Sequence, residues 1–234
     1  MSVTPAKKLK FSFLNKWNLL SPAEGQSLNS FIFTNSKTYQ MKIMKPFVFL
    51  CAIAISLGAN AQRIKLVEGD LSALKSEQNI NTEFTYDNMR VGKYDKEADY
   101  VTDKTGSLNK KEPGRGDTWA KTWVNDRQDR FEPKFNELFE KSSGMSTSKN
   151  AKYTLIFKTL TTEPGFNIGI TRKNAEINAE AWIVETANRN KVIAKATVQK
   201  AVGRTFGGYD FDTGERLSEA YADAGKALGR FIKD

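Results

Sequence analysis

The chain has 234 residues, with 36 Lys or Arg against 27 Asp or Glu for a formal net charge of +9, one cysteine and no histidine. The missing histidine excludes Ser-His-Asp and Cys-His catalysis, the usual zinc sites and a histidine pH switch. Carboxylate pairs, Lys, Tyr and Ser remain open as catalytic groups.

Residues 1–40 show no sustained hydrophobic period and no paired turn signals. They are expected to reflect a start assigned too early, with Met41 or Met44 as the true start; the alternative is a cytoplasmic extension ahead of a membrane anchor. Residues 41–45 are basic through Lys42 and Lys45, residues 47–57 are apolar except for Ser56, and Ala59 and Ala61 supply the small residues of a cleavage site. The three parts read as an export signal over 41–61 and predict a mature chain that begins at Gln62; the other reading is a short buried helix. The apolar run falls short of the roughly 20 residues that a membrane-spanning helix needs.

Cys51 would leave with the signal, so the mature domain is expected to have no disulfide or thiol chemistry. The bulky Val48-Phe49-Leu50 before it argues against lipidation. Residues 62–234 hold 29 Lys or Arg against 26 Asp or Glu, a net of +3, and no long basic block. Nucleic acid is therefore not expected as a partner. No Asn-x-Ser/Thr acceptor follows the signal, which favours a bacterial source.

Residues 62–234 have the length of one domain able to bury a core without disulfides or metal. Residues 63–68 read as a first strand ended by Gly69-Asp70. Residues 81–91 alternate, with Phe84 and Tyr86 on one face, and predict a half-buried strand. Residues 94–110 are weakly helical, with Ala98, Val101 and Leu108 as inward candidates. Asp117 is placed to cap a second helix running to about Lys141, because its carboxylate can accept from the free N–H groups of the first turn. Trp119, Trp123, Phe131, Phe135, Leu138 and Phe139 form its apolar stripe. Pro133 removes one N–H and crowds the carbonyl of Asp129, which predicts a kink or a break.

After a polar linker over 142–150, residues 152–162, 176–186 and 191–201 read as strands rich in β-branched and aromatic residues. The last two are joined through Ala187-Asn188-Arg189-Asn190 and should pair as an antiparallel hairpin. Residues 202–214 form a glycine-rich loop. From Glu215 the chain is helical, with Asp212 and Glu215 spaced as a capping box and Leu217, Ala220, Tyr221, Ala224, Leu228, Phe231 and Ile232 as the buried stripe. This order predicts an α+β fold: a two-layer sandwich, mainly antiparallel sheet with helices on one face.

Arg115-Gly116-Asp117 spells an integrin-recognition tripeptide, but a turn followed by a helix cap explains each residue. Asp210-Phe211-Asp212 starts like a calcium loop, yet Gly214 stands at the third ligand position and Tyr221 where the bidentate glutamate belongs, so no metal site is expected. The loop over 203–208 lacks the Lys-Ser/Thr ending of a phosphate loop. It is still the most ligand-like segment, because Arg204, Phe206, Tyr209 and Phe211 put a cation and three aromatics on glycine hinges. The plainer reading has Phe206 and Phe211 plugging the core between sheet and helix. Glu176 and Glu180 share one face of a strand and are expected to face solvent.

Ala179-Glu180-Ala181-Trp182-Ile183-Val184-Glu185-Thr186, the Asn188-Arg189-Asn190 turn, Val192-Ile193-Ala194-Lys195 and the small-residue helix from Leu217 resemble, over residues 152–234, a group of bacterial envelope α/β domains. The group includes the amino-terminal domain of the Tol-system propeller protein and the curli secretion lipoproteins, and the signal resembles those of exported Bacteroides-group proteins of uncharacterised families. The resemblance implies an α/β sandwich used in envelope interactions and carries over no catalytic residues. The expected function is a non-catalytic exported binding or interaction domain, periplasmic or secreted, without cofactor, whose partner is an envelope or extracellular protein or glycan. The alternative is a carboxylate-dependent hydrolase acting on glycans or peptidoglycan. A third reading is a carrier for an apolar small molecule held between sheet and kinked helix.

Overall fold

Alternating apolar and polar residues lay down a sheet, and 3.6-residue apolar stripes lay helices across one side of it. The computed structural model describes residues 63–168, 171–204 and 213–234. In chain order these are β1 (Arg63–Gly69), β2 (Asn79–Thr85), β3 (Arg90–Val91), α1 (Glu97–Lys111), α2 (Arg115–Asp126), a π-helical turn (Arg127–Phe131) and α3 (Glu132–Ser143). There follow β4 (Ser146–Thr147), β5 (Tyr153–Glu163), β6 (Phe166–Ile168), β7 (Thr171–Lys173), β8 (Ala175–Glu185), β9 (Asn188–Gly203) and α4 (Thr213–Lys233). The main sheet runs β1-β9-β8-β5-β2-β4, with β3 also against β5. Pairs within β1, β9, β8 and β5 are antiparallel, and β2 and β3 lie parallel to β5. The protein is thus α+β with a mixed, mainly antiparallel sheet.

One face of the sheet is dry. Leu155 and Phe157 on β5, Ile177, Ala179 and Ala181 on β8, and Ala194 and Val198 on β9 are buried there. Phe135 and Phe139 of α3, and Leu217, Tyr221, Ala224 and Leu228 of α4, pack against them in one core. The helices α3 and α4 run parallel and close: a Cβ on Gly225 would lie 2.3 Å from the Phe135 carbonyl oxygen, and one on Gly229 2.7 Å from that of Phe139. The opposite sheet face is polar. There Trp182 lies between the ammonium groups of Lys158 and Lys195, 4.3 and 4.4 Å from its ring centre, and donates its indole N–H to Glu180. Arg189 reaches across to Glu83 with a bidentate pair at 2.9 and 2.6 Å.

Four local expectations change. The strand over 81–91 breaks into β2 and β3 around a turn in which the Met89 N–H donates to the Tyr86 carbonyl and Asn88 takes φ 58°. The inward side of α1 carries Tyr100 and Val101, partly buried, while Ala98 is exposed and no residue of the helix is fully buried. The second helix starts at Arg115 after Gly114 in the left-handed conformation, so Asp117 lies in the first turn instead of at the cap, accepting from the Asn109 side chain. The expected break near Pro133 is a π-helical turn, in which the Glu132 N–H donates to the Arg127 carbonyl five residues back. A wider turn gives the pyrrolidine ring room that an α-helical carbonyl would occupy.

Candidate functional site

The ends of β5, β8 and β9 and the β6–β7 hairpin enclose an open polar recess of about 310 Å³. Its walls are built by two sheet irregularities that meet at Asn178 of β8. In β5, Thr159 and Thr161 pair with the adjacent residues Ala179 and Asn178, leaving Leu160 as an extra, exposed residue. In β9, the step from Val198 to Ala201 faces the shorter step from Ala179 to Ile177. The Asn178 carboxamide holds both bulges: its oxygen accepts from the Lys200 backbone N–H at 2.9 Å, and its nitrogen donates to the Thr161 hydroxyl at 2.8 Å. Lys200 thereby takes φ 57°, a left-handed conformation that costs a lysine energy and turns its side chain toward the recess it lines.

Beyond the bulges, Glu163 and Glu176 stand directly opposite on β5 and β8. Like charges in such positions repel. Glu163 is engaged by the Lys173 ammonium at 2.6 Å and by the Gly165 N–H at 3.1 Å. Among the described residues, Glu176 accepts only a long bond, 3.5 Å, from the Asn178 amide. Asn174, Val202 and Arg204 complete the lining. The base is fixed from the helix layer. Arg216, 6% exposed, donates to the carbonyls of Pro164 and Gly165 and to the Thr213 hydroxyl, tying the β5–β6 turn to α4. Gly203 permits this approach, because a Cβ there would lie 1.9 Å from the Arg216 carbonyl oxygen.

Of the sequence-predicted site residues, Arg204 is exposed at the rim of this recess. Phe206, Tyr209 and Phe211 lie outside the described residues, as do Asp210 and Asp212 of the calcium-like segment. Glu176 and Glu180 share the polar sheet face as expected, but Glu176 lines the recess while Glu180 holds Trp182. The sequence reading does not single out Glu163, Lys173, Asn178 or Lys200. Leu160 is the one legible signal, an apolar residue out of phase with Leu155 and Phe157.

Two other polar features belong to the architecture. Around the π turn, Arg127 lies over the Tyr86 ring at 4.2 Å and pairs with Glu97, which also accepts from the Trp123 indole. The Tyr86 hydroxyl donates to Glu132 at 3.2 Å. Burial pushes the Tyr86 phenol far up and raises the Glu132 carboxyl; Tyr100, packed against Trp119 and Trp123, is raised to about 12 by burial. At the joint carboxyl ends of α3 and α4, Lys141, Lys226, Arg230 and Lys233 line a shallow groove of about 620 Å³, where cations complement two helix dipoles. Between the sheet and α4, by contrast, the space beside Leu71, Leu228 and Phe231 is about 10 Å³. That space is too small for a ligand at this place.

Among the described residues no three His, Cys, Asp or Glu side chains gather to hold a metal, and no helix is long and apolar enough to cross a membrane. The layers define the class of this chain, an α+β sandwich with helices against one face of a mixed, mainly antiparallel sheet. No family model matches it, and no curated protein matches it. Solved structures similar to it include two of the PelC dodecamer from Paraburkholderia phytofirmans, one of them a point variant. Each is 11% identical, with a TM-score of 0.33, and covers 70% of this chain and 97% or 98% of its own. A likeness of that degree does not bear on what this chain does.

Proposed function

We propose that this protein is a non-catalytic binding module of the bacterial envelope or exterior, and that its contact site is the recess at the ends of β5, β8 and β9. The observation that carries the reading is Lys200, held in a strained backbone conformation by two bulges stapled through one asparagine. A sheet without function at this point would be more stable in regular register, and strain of this kind concentrates at ligand sites. The signal-like pattern of residues 41–61 is what supports the compartment in this reading, and the partner it implies is an envelope or extracellular protein or glycan. The opposed carboxylates Glu163 and Glu176 favour the second reading, a carboxylate-dependent hydrolase of glycans or peptidoglycan. Against it, Glu163 is committed to Lys173 and the Gly165 N–H, which leaves one available carboxylate where the chemistry needs two.

The test combines retention and turnover. Immobilised protein is exposed to envelope extract and to purified peptidoglycan, and Arg204→Ala is compared at equal thermal stability. Retention of an envelope protein or glycan that Arg204→Ala loses, with no new reducing ends released, is the expected result. Release of reducing ends that disappears in Glu176→Gln would establish the hydrolase instead.

A further inference from the structure

We infer that the recess binds a small acidic amino acid, a molecule with one ammonium group and two carboxylates. The inference rests on the binding-module reading for its site and goes beyond it, adding a small ligand in the same recess to the macromolecular partner proposed there. It follows from the charges left over once the walls are accounted for. Lys173 and Glu163 neutralise one another at 2.6 Å. Asn178 spends its amide on the two bulges and on Glu176. Among the described residues, no carboxylate pairs with the side chains of Lys200 or Arg204, and no cation pairs with Glu176. Three unmatched charges therefore face one space: two cations and one carboxylate.

A ligand complementary to that set carries one positive and two negative groups. The volume agrees, since about 310 Å³ lies at the small end of ligand sites and fits an amino acid. The geometry is also preorganised. Arg216 pins the turn behind Glu163, and the Asn178 staple fixes the backbone of Lys200, so the ligand need not order the wall it meets. Arg204 offers a planar fork to one carboxylate and Lys200 a point charge to the other, while Glu176 receives the ammonium.

The experiment is titration calorimetry of the purified protein with L-glutamate, glutarate and L-glutamine. Glutarate lacks the ammonium and glutamine lacks the second carboxylate, and each is expected to bind at least tenfold more weakly than glutamate. Glu176→Gln should weaken glutamate at least tenfold while leaving glutarate within a factor of about two. The decisive variant is Lys200→Gly. Glycine adopts positive φ freely, so this variant should melt at or above the wild-type temperature and still lose at least tenfold in glutamate affinity. Undetectable glutamate binding at millimolar concentration, equal binding of glutarate, or undiminished affinity in Lys200→Gly would each overturn the inference. If glutamate fails while retention of an envelope partner still depends on Arg204, the ligand class falls and the binding module stands. Turnover of peptidoglycan would remove both.

Discussion

The Tyr221 hydroxyl lies in the middle of the core, 2.7 Å from that of Thr159, and both residues are 1% exposed. Its ring stacks on Phe131 at 5.0 Å, so sequence periodicity reads it correctly as a buried stripe residue. What periodicity does not read is the partner, which comes from β5, 62 residues earlier. Tyr221→Phe keeps the ring and strands the Thr159 hydroxyl away from water. It should destabilise the fold by about 1–3 kcal/mol, as an unsatisfied buried hydroxyl does. Adding Thr159→Val removes the stranded group as well, and urea unfolding should then show the double variant more stable than Tyr221→Phe alone. A double variant as unstable as the two single losses added together would mean that the pair does not act through this bond.

Among the elements, the helix from Arg115 to Ser143 shows how a local conflict is absorbed. Pro133 in an α-helical interior would cost about 3 kcal/mol. The π turn over Arg127–Phe131 moves the hydrogen-bond pattern one residue back before the proline, which then sits in the first turn of α3. Replacing Pro133 with Ala should therefore change stability by less than about 1 kcal/mol in urea unfolding; a gain near 3 would show that the strain is still stored there. The sequence predicted an interruption here from the proline alone. It did not predict a π turn, because the extra residue in the turn is set by the need to keep Trp123 and Phe131 on the buried side together. The same limit applies to β5 and β9. Their strand character is plain in the residue types, while their bulges depend on which strand lies alongside.

Across the whole molecule, the two layers approach through small residues. A Cβ at position 225 would meet the Phe135 backbone oxygen at 2.3 Å, and a backbone atom cannot step aside as a side chain can. Gly225→Ala must push α4 away from α3, and should lower stability by about 1–3 kcal/mol in spite of alanine's better helix propensity. A thermal melt in which this variant equals or exceeds wild type would show that the helices are not so closely packed. The α+β class, the helical faces of α3 and α4 and the long strands β5, β8 and β9 were written in the sequence, because periods of 3.6 and 2 are local consequences of backbone geometry. So was Arg204 as an exposed cation after a glycine. The recess was not legible, since Glu163, Glu176, Lys200 and Arg204 meet only when three strands align and two bulges coincide at Asn178. Strand register and the pairing of charges across it are set by long-range packing, which no run of neighbouring residues encodes.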